Sequence, residues 1–560
     1  MKVVLVFPSS NFRASSPTSA AGLEHLGLGY IAAYLRQCGH QVNILNFHLE
    51  LAFSTTPPTV ASITDKILAC EPDVVGMSIT GSTISTALSV AYQLKSLKPS
   101  LHICWGSHHV ATYAKDILNN EPCVDTIMAG DGEISWEKLL IALGTGDSLA
   151  NVPGVWYRDR GQVVLSSHFP EPDLNTLPFP ARDTLAELIN RGVKVADARI
   201  STSRGCPFNC KFCVDPVLGY QERWRARNAS SIIDEIKYLS DTYGIEHFWF
   251  SDDNFLLPTP ASRQRAIDIA NGLIAEKLDI TYRVLMRADA VAKHEELIKI
   301  LAESGLVCIY MGLEAAAPRR LEYFDKHATP DVYTQAVKLV RKHKIGLQIG
   351  FIMFDPFTSW VDLELDAQFL HEIEEMYLYS NYCQTLLVYP GTLIVKNLVE
   401  KGLLAKDFNY LSEYLSYTYE NPQVGKLADV INSAYSKEWV EMDDFFRRLR
   451  MIDVPALARN KVKYDERMVE GLNREVENKI GELNQKGFDF FLEALNLAKN
   501  EQTTKIPALI ESHYQHSFKL MVKLVDALEV FPEVMTRHLS ALNHLSADFL
   551  TAKKSIKHLV

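Results

Sequence analysis

Three cysteines in one short loop, Cys206, Cys210 and Cys213, stand at a Cys-x₃-Cys-x₂-Cys spacing within STSRGCPFNCKFC at 201–213. Thiolates are soft ligands that select zinc or iron–sulfur centres. A structural zinc site takes four ligands at comparable spacing. No fourth Cys or His lies nearby, the next cysteine being Cys308 and the next histidine downstream His247. Three thiolates suit a [4Fe–4S] cluster with one iron left open to a substrate. The other six cysteines (Cys38, Cys70, Cys104, Cys123, Cys308 and Cys383) stand alone in apolar or helical surroundings and read as small buried side chains. An odd total of nine in a chain without secretory features argues against a disulfide framework.

A loop of this kind needs a rigid scaffold. RISTS, HFWFS, TYRVLM, CIYMG, LQIGFIMF and CQTLLVY give six candidate strands between 199 and 395. Segments of helical period separate them, among them 229–243 and 294–305. Six such repeats predict a partial (β/α)₆ barrel whose site lies at the C-terminal ends of its strands. Residues 1–145 also alternate strands with helices, through VVLVF, VNIL, VVGMSI, HICWG and TIMAG. That pattern predicts an α/β fold with a doubly wound, Rossmann-like parallel sheet, which binds ligands beyond the carboxyl ends of its strands. The residues there are Pro8–Asn11 (with Ser9), Ser78–Thr83 (with Thr80 and Ser82), Gly106–His109 (with Ser107 and His108) and Gly130–Glu133 (with Asp131 and Gly132). They are small, polar or glycine-rich, as a backbone that closely approaches a ligand requires. Residues 146–198 are proline-rich and read as a linker with a short hairpin near Val155–Val164. Residues 396–560 read as a C-terminal helical domain.

The chain has 560 residues, 47% of them hydrophobic, with 57 basic against 68 acidic side chains and a formal charge of −11. A mildly acidic surface disfavours a phosphate-tracking groove, so no nucleic-acid partner is expected. No apolar run reaches 18 residues, so neither a spanning helix nor a membrane partner is expected. The five-residue apolar run before Pro8 is too short for a secretory signal, which points to the cytosol.

The loop SxRGCPFNCKFC resembles the signature of radical-SAM enzymes. The resemblance implies that Cys206, Cys210 and Cys213 bind three irons, that the open iron chelates S-adenosyl-L-methionine (SAM), and that Phe212 packs by the nucleoside. WFSDDNF at 249–255 resembles the second strand end of that family. Asp252, Asp253 and Asn254 then either meet SAM or serve as turn residues. LMRADAV and YMGLEA resemble the third and fourth strand ends and place Arg287 and Glu314 near SAM. A charged residue closing an apolar strand needs a partner, so a mutual salt bridge between these two is the competing reading. FIMFDPFTS departs from the glycine-rich turn usual at the fifth strand end, and VYPGT resembles the common sixth-strand ending.

The N-terminal domain is similar to the cobalamin-binding domain that precedes many such barrels, through LEHLGLGYIAAYLRQCGHQV, CWGSHH and VDTIMAGDGEISWEKLL. The Asp-x-His-x-x-Gly motif that supplies a lower axial histidine in classical cobalamin methyltransferases is absent. His108 or His109 could replace it, or satisfy a local hydrogen bond. Together these resemblances imply a cobalamin-dependent radical-SAM enzyme, using methylcobalamin and a 5′-deoxyadenosyl radical to methylate an unactivated carbon. Its substrate would be a small molecule, natural product or peptide, and its electrons would come from a flavodoxin or ferredoxin type of donor. Non-methylating cyclisation or rearrangement, and a non-catalytic corrinoid or redox sensor, are the alternatives. In the C-terminal segment His513 and His516 read as a solvated helix face. FDFFLEALNLA at 488–498 reads as core packing or a pocket wall.

Overall fold

The computed structural model describes residues 1–9, 24–54, 56–193, 195, 197–221, 223–406, 409–450 and 466–528. Ser10, Asn11, Leu23 and the end of the C-terminal segment from 529 lie outside the described residues. The chain divides into two compact units.

Unit 1 comprises 1–255, 264–282 and 387–416. Its first sheet runs through β1 (Lys2–Phe7), β2 (Gln41–Asn46), β3 (Val74–Ser78), β4 (His102–Gly106) and β5 (Thr126–Met128), then the hairpin β6 (Val155–Asp159) and β7 (Gln162–Leu165). The strand order is β2-β1-β3-β4-β5-β6-β7. The first five strands are parallel and the hairpin is antiparallel. The doubly wound expectation holds, with the hairpin added at one edge.

Both faces of this sheet are covered, as a parallel sheet requires. Val4, Val6, Val75, Met77, Ile103 and Trp105 enter one core, while Val3, Leu5, Val74 and Cys104 enter the other. The alternation is the period-two signature of a strand. The helix Ile84–Leu97 buries Ile84, Ala87, Val90, Ala91 and Leu94, one stripe at helical spacing. Trp105 is fully buried, and truncating such a side chain to Ala costs about 3–5 kcal/mol.

Unit 1 also holds β8 (Asp197–Ile200), the short antiparallel pair β9 (Ser203–Arg204) and β10 (Arg225–Ala226), and β11 (His247–Phe250). β8 and β11 pair in parallel, with Phe250 opposite Ile200. The start of β12 (Thr281–Met286) continues this order. There Tyr282 stacks on Phe250 at 4.9 Å.

Unit 2 comprises 256–263, 283–386 and the described residues from 417 onward. Here the rest of β12 is followed by β13 (Leu306–Glu314) and β14 (Gly346–Phe351), the latter two parallel with a bulge at Gly312–Glu314. The expected sixth strand is reduced to one parallel bridge, between Phe354 and Thr385. The reason is local: the Asp355 amide donates to Thr358 Oγ1 and Pro356 has no N–H, so the ladder cannot extend past Phe354.

Four helices, Pro422–Ser433, Lys437–Arg450, Glu466–Lys499 and Ile506–Leu528, make up most of the described residues from 417 onward. Phe490, Phe491, Ala494, Leu495 and Ala498 are buried, as core packing predicts. The solvated-face reading of His513 is corrected. It is buried, stacks on Phe490 at 4.6 Å and bonds Tyr382 Oη at 2.8 Å, because the helix turns this face inward. His516 lies near Glu482 at 3.4 Å and is half-exposed. No helix among the described residues is long and apolar enough to cross a membrane. All nine cysteines are free, and Cys38 is exposed rather than buried because it follows the last turn of Leu26–Gln37.

Candidate functional site

Cys206, Cys210 and Cys213 are half-buried and near enough for each thiolate charge to be felt by its neighbours. Burial raises the Cys206 thiol to about 11 and the Cys213 thiol to about 12, so metal ligation displaces protons from them. Among the described residues no three His, Cys, Asp or Glu side chains converge on one point, as a single ion requires. A cubane cluster instead takes each thiolate on a different iron, and the three thiols fit that group.

The loop is held from several sides. Asp252 accepts from the Thr202 and Ser203 amides at 2.7 and 2.9 Å. Asp253 accepts from the Gly205 amide at 3.0 Å. Both carboxylates predicted near SAM therefore grip the backbone that enters the cysteine loop. Gly205 has φ +81°, and a Cβ there would sit 2.3 Å from the Arg223 carbonyl oxygen, so only glycine fits. Arg223 donates to Asn209 Oδ1 at 2.7 Å and to the Phe208 carbonyl. The Ile394 amide donates to the Lys211 carbonyl at 2.9 Å, which ties the VYPGT end to the loop. Asn254 is almost fully buried, and neither carboxamide atom has a hydrogen-bond partner among the described residues. A buried amide without partners is costly, and it fits the polar end of SAM. Phe212 is half-buried within the loop.

Sequence reasoning missed Asp215. Burial and the neighbouring Asp253 carboxylate push it well above the ordinary carboxylate range. Its place two residues beyond Cys213 was the available signal.

In the first sheet, the carboxyl ends of β1, β3 and β4 carry Ser9, Ser78 and Gly106–His108. A Cβ built on Gly106 would meet only Met128, in ordinary van der Waals contact at 3.9 Å. Ser107 has φ +139°, a strained backbone of the kind concentrated at ligand sites. Thr80, Ser82 and Thr83 form a self-bonded turn, with Thr80 Oγ1 3.0 Å from Ser82 Oγ. His108 Nε2 is buried without a partner among the described residues, and His109 Nε2 donates to the Tyr410 carbonyl at 2.8 Å. A strand-end glycine without close contacts, beside hydroxyls and the unpartnered His108 Nε2 at the crevice, fits a corrinoid.

The turn after β5 behaves differently. A Cβ on Gly130 would meet Phe169 at 2.3 Å, and one on Gly132 would meet Ile31 at 2.7 Å, so chain atoms occupy that space. Asp131 and Glu133 are buried. Arg204 pairs with Asp131 at 2.9 Å and with Glu133 at 2.7 Å. Arg225 pairs with Asp131 at 2.9 Å, and Tyr220 Oη donates to Asp131 Oδ1. The acidic turn of the first sheet thus grips the residue two places before Cys206. A second buried chain runs Glu24–Arg182–Glu235–Arg227, with contacts of 2.9 and 2.7 Å about Arg182.

The chain matches the family model of the B12 binding domain over residues 18–140 and that of the Radical SAM superfamily over 200–370. An uncharacterized methyltransferase, PH0819, of Pyrococcus horikoshii is 31% identical over 410 residues, covering 72% of this chain and 84% of that one. An anaerobic magnesium-protoporphyrin IX monomethyl ester cyclase of Synechocystis is 27% identical over 388 residues, covering 66% and 71%. This chain belongs to the cobalamin-dependent radical-SAM enzymes. The structure of the cobalamin-dependent radical enzyme OxsB with aqua-cobalamin has the same fold, with a TM-score of 0.70 at 19% identity, covering 94% of this chain and 80% of that one. The cofactors of the family are SAM, a [4Fe–4S] cluster and cobalamin.

Within unit 2 of this radical-SAM enzyme, Arg287 and Glu314 do not pair with each other. Arg287 donates to Asp289 at 3.0 Å and to the Lys326 carbonyl at 2.5 Å. Glu314 meets Lys326 Nζ at 3.4 Å, and its φ of +69° re-aims the strand end after the bulge. Lys326 therefore serves both. Asp355, at the unusual fifth strand end, is buried and paired with Arg320 at 2.8 Å, so this departure carries a structural ion pair.

Proposed function

We propose that this enzyme is a C-methyltransferase that acts on an unactivated carbon of a small-molecule or natural-product substrate. The observation that carries the reading is the grip of Asp131 and Glu133 on Arg204. It ties the strand-end crevice to the cysteine loop within one compact unit, as two cofactors acting in turn on one substrate require. The methyltransferase among its relatives supports the same reaction class.

Bound there, the cluster supplies the electron that cleaves SAM, and the corrinoid supplies a carrier for the methyl group. The chain's residues position these groups. Cys206, Cys210 and Cys213 hold the cluster, while Asp252, Asp253 and Arg223 fix their loop. Phe212 and Asn254 are the candidate SAM residues of unit 1, while within unit 2 Lys326 holds the candidates Arg287 and Glu314. Ser9, Ser78, Thr80, Ser82, Gly106, Ser107 and His108 face the corrinoid. Asp131 and Glu133, in the turn that also holds Gly130 and Gly132, join the strand-end crevice to the cysteine loop through Arg204. We place the enzyme in the cytosol, with a flavodoxin or ferredoxin type of electron donor.

The test uses anaerobically reconstituted protein with SAM, hydroxocobalamin, reductant and a panel of candidate small molecules. A product heavier by one methylene unit supports methylation. A product that has instead lost two hydrogens, as in oxidative cyclisation, overturns it. Cys213→Ser abolishes 5′-deoxyadenosine formation in either case.

A further inference from the structure

The topological switch point of the first sheet lies between β1 and β3, where its strand order reverses. Ser78 closes β3 at that point. His25 stands just ahead of the helix Leu26–Gln37 and caps it. The Leu28 amide donates to His25 Nδ1 at 3.1 Å. A backbone N–H can only donate, so Nδ1 is the acceptor and the ring proton resides on Nε2. His25 Nε2 lies 2.8 Å from Ser78 Oγ. The imidazole therefore donates and the hydroxyl accepts, which turns the Ser78 proton away from His25. Among the described residues no chain atom accepts that proton.

The ring is fixed as well as oriented. Phe7 packs edge-on against it at 4.6 Å, and burial keeps it neutral, with a pKa of about 4. A hydroxyl held as acceptor on one side is a preset donor on the other, at the crevice where this fold takes its ligand. Resting on the corrinoid placement proposed above, we propose that His25 is the positioning residue that aims the Ser78 hydroxyl, as donor, at an acceptor atom of the bound corrinoid.

The test titrates full-length protein, depleted of corrinoid, with hydroxocobalamin and follows visible absorbance. His25→Asn keeps an acceptor near Nδ1 for the helix cap but cannot reach Ser78. His25→Gln places an amide N–H near Nε2 but gives up the cap. Ser78→Ala is expected to weaken binding about tenfold, the worth of one net hydrogen bond. His25→Asn weakens it comparably, and the double variant is no weaker than Ser78→Ala alone. His25→Gln binds like the wild type while its thermal midpoint falls, which a purely structural role for His25 would not produce. The inference is overturned if His25→Asn binds like the wild type, if His25→Gln is as weak as His25→Asn, or if the two losses multiply. Wild-type protein that takes up no hydroxocobalamin overturns the cofactor assignment too; wild-type uptake with no loss in Ser78→Ala overturns this inference alone.

Discussion

At Arg204 one guanidinium meets two carboxylates that have almost no access to water. Each charge is tolerable only because the other is there: removing one partner of a buried pair leaves an uncompensated ion. Arg204→Met strands Glu133, whereas Arg225 still holds Asp131. Its expected cost is about 3 kcal/mol in chemical denaturation. Adding Glu133→Gln recovers part of that loss, because the stranded charge is gone. Equal instability of the single and double variants would show that the pair contributes no coupling.

The cysteine loop is positioned by its neighbours more than by its own sequence. Asp252 and Asp253, just beyond β11, hold the amides of Thr202, Ser203 and Gly205. Gly205 supplies the left-handed turn that admits the Arg223 carbonyl. Gly205→Ala introduces both a strained φ and a 2.3 Å approach, and backbone strain of this kind costs about 1–3 kcal/mol. The expected result is a chain that folds but retains less than half the wild-type iron after anaerobic reconstitution, measured by colorimetric iron analysis. Wild-type iron content in this variant would mean that the turn does not set the loop.

Across the molecule, two buried imidazoles make stability depend on pH. Burial lowers His25 to about 4 and His513 to about 3, from an ordinary 6.5. As pH falls below 6.5 the unfolded chain takes up these protons before the folded chain does. Their contribution is complete above 6.5 and is lost as pH falls through that window toward 4 and 3. Urea midpoints should therefore drop from pH 7 to pH 4. His513→Phe, which keeps the ring against Phe490, should make that slope shallower. An unchanged slope in the variant would assign the acid sensitivity elsewhere.

Periodicity and motif spacing were enough to read two α/β sheets, the cysteine loop and the crevice at the strand ends. Strand alternation, helical stripes and a Cys-x₃-Cys-x₂-Cys spacing are local, and local order survives in one dimension. The partners of charged residues were not legible. Asp131 and Glu133 stand in a turn that suits a ligand, yet they bind Arg204, 71 residues from Glu133. Arg287 and Glu314 share Lys326 rather than each other. His513 sits on a helix whose buried face depends on Phe490 and Tyr382. Likewise Ser78 was visible as a strand end, while the His25 that orients it lies 53 residues earlier. A buried charge or hydroxyl takes whichever partner tertiary packing brings within about 3 Å, and that choice is made only when the chain has folded. The cysteine spacing made the candidate cluster loop legible; the folded chain decided what holds that loop in place.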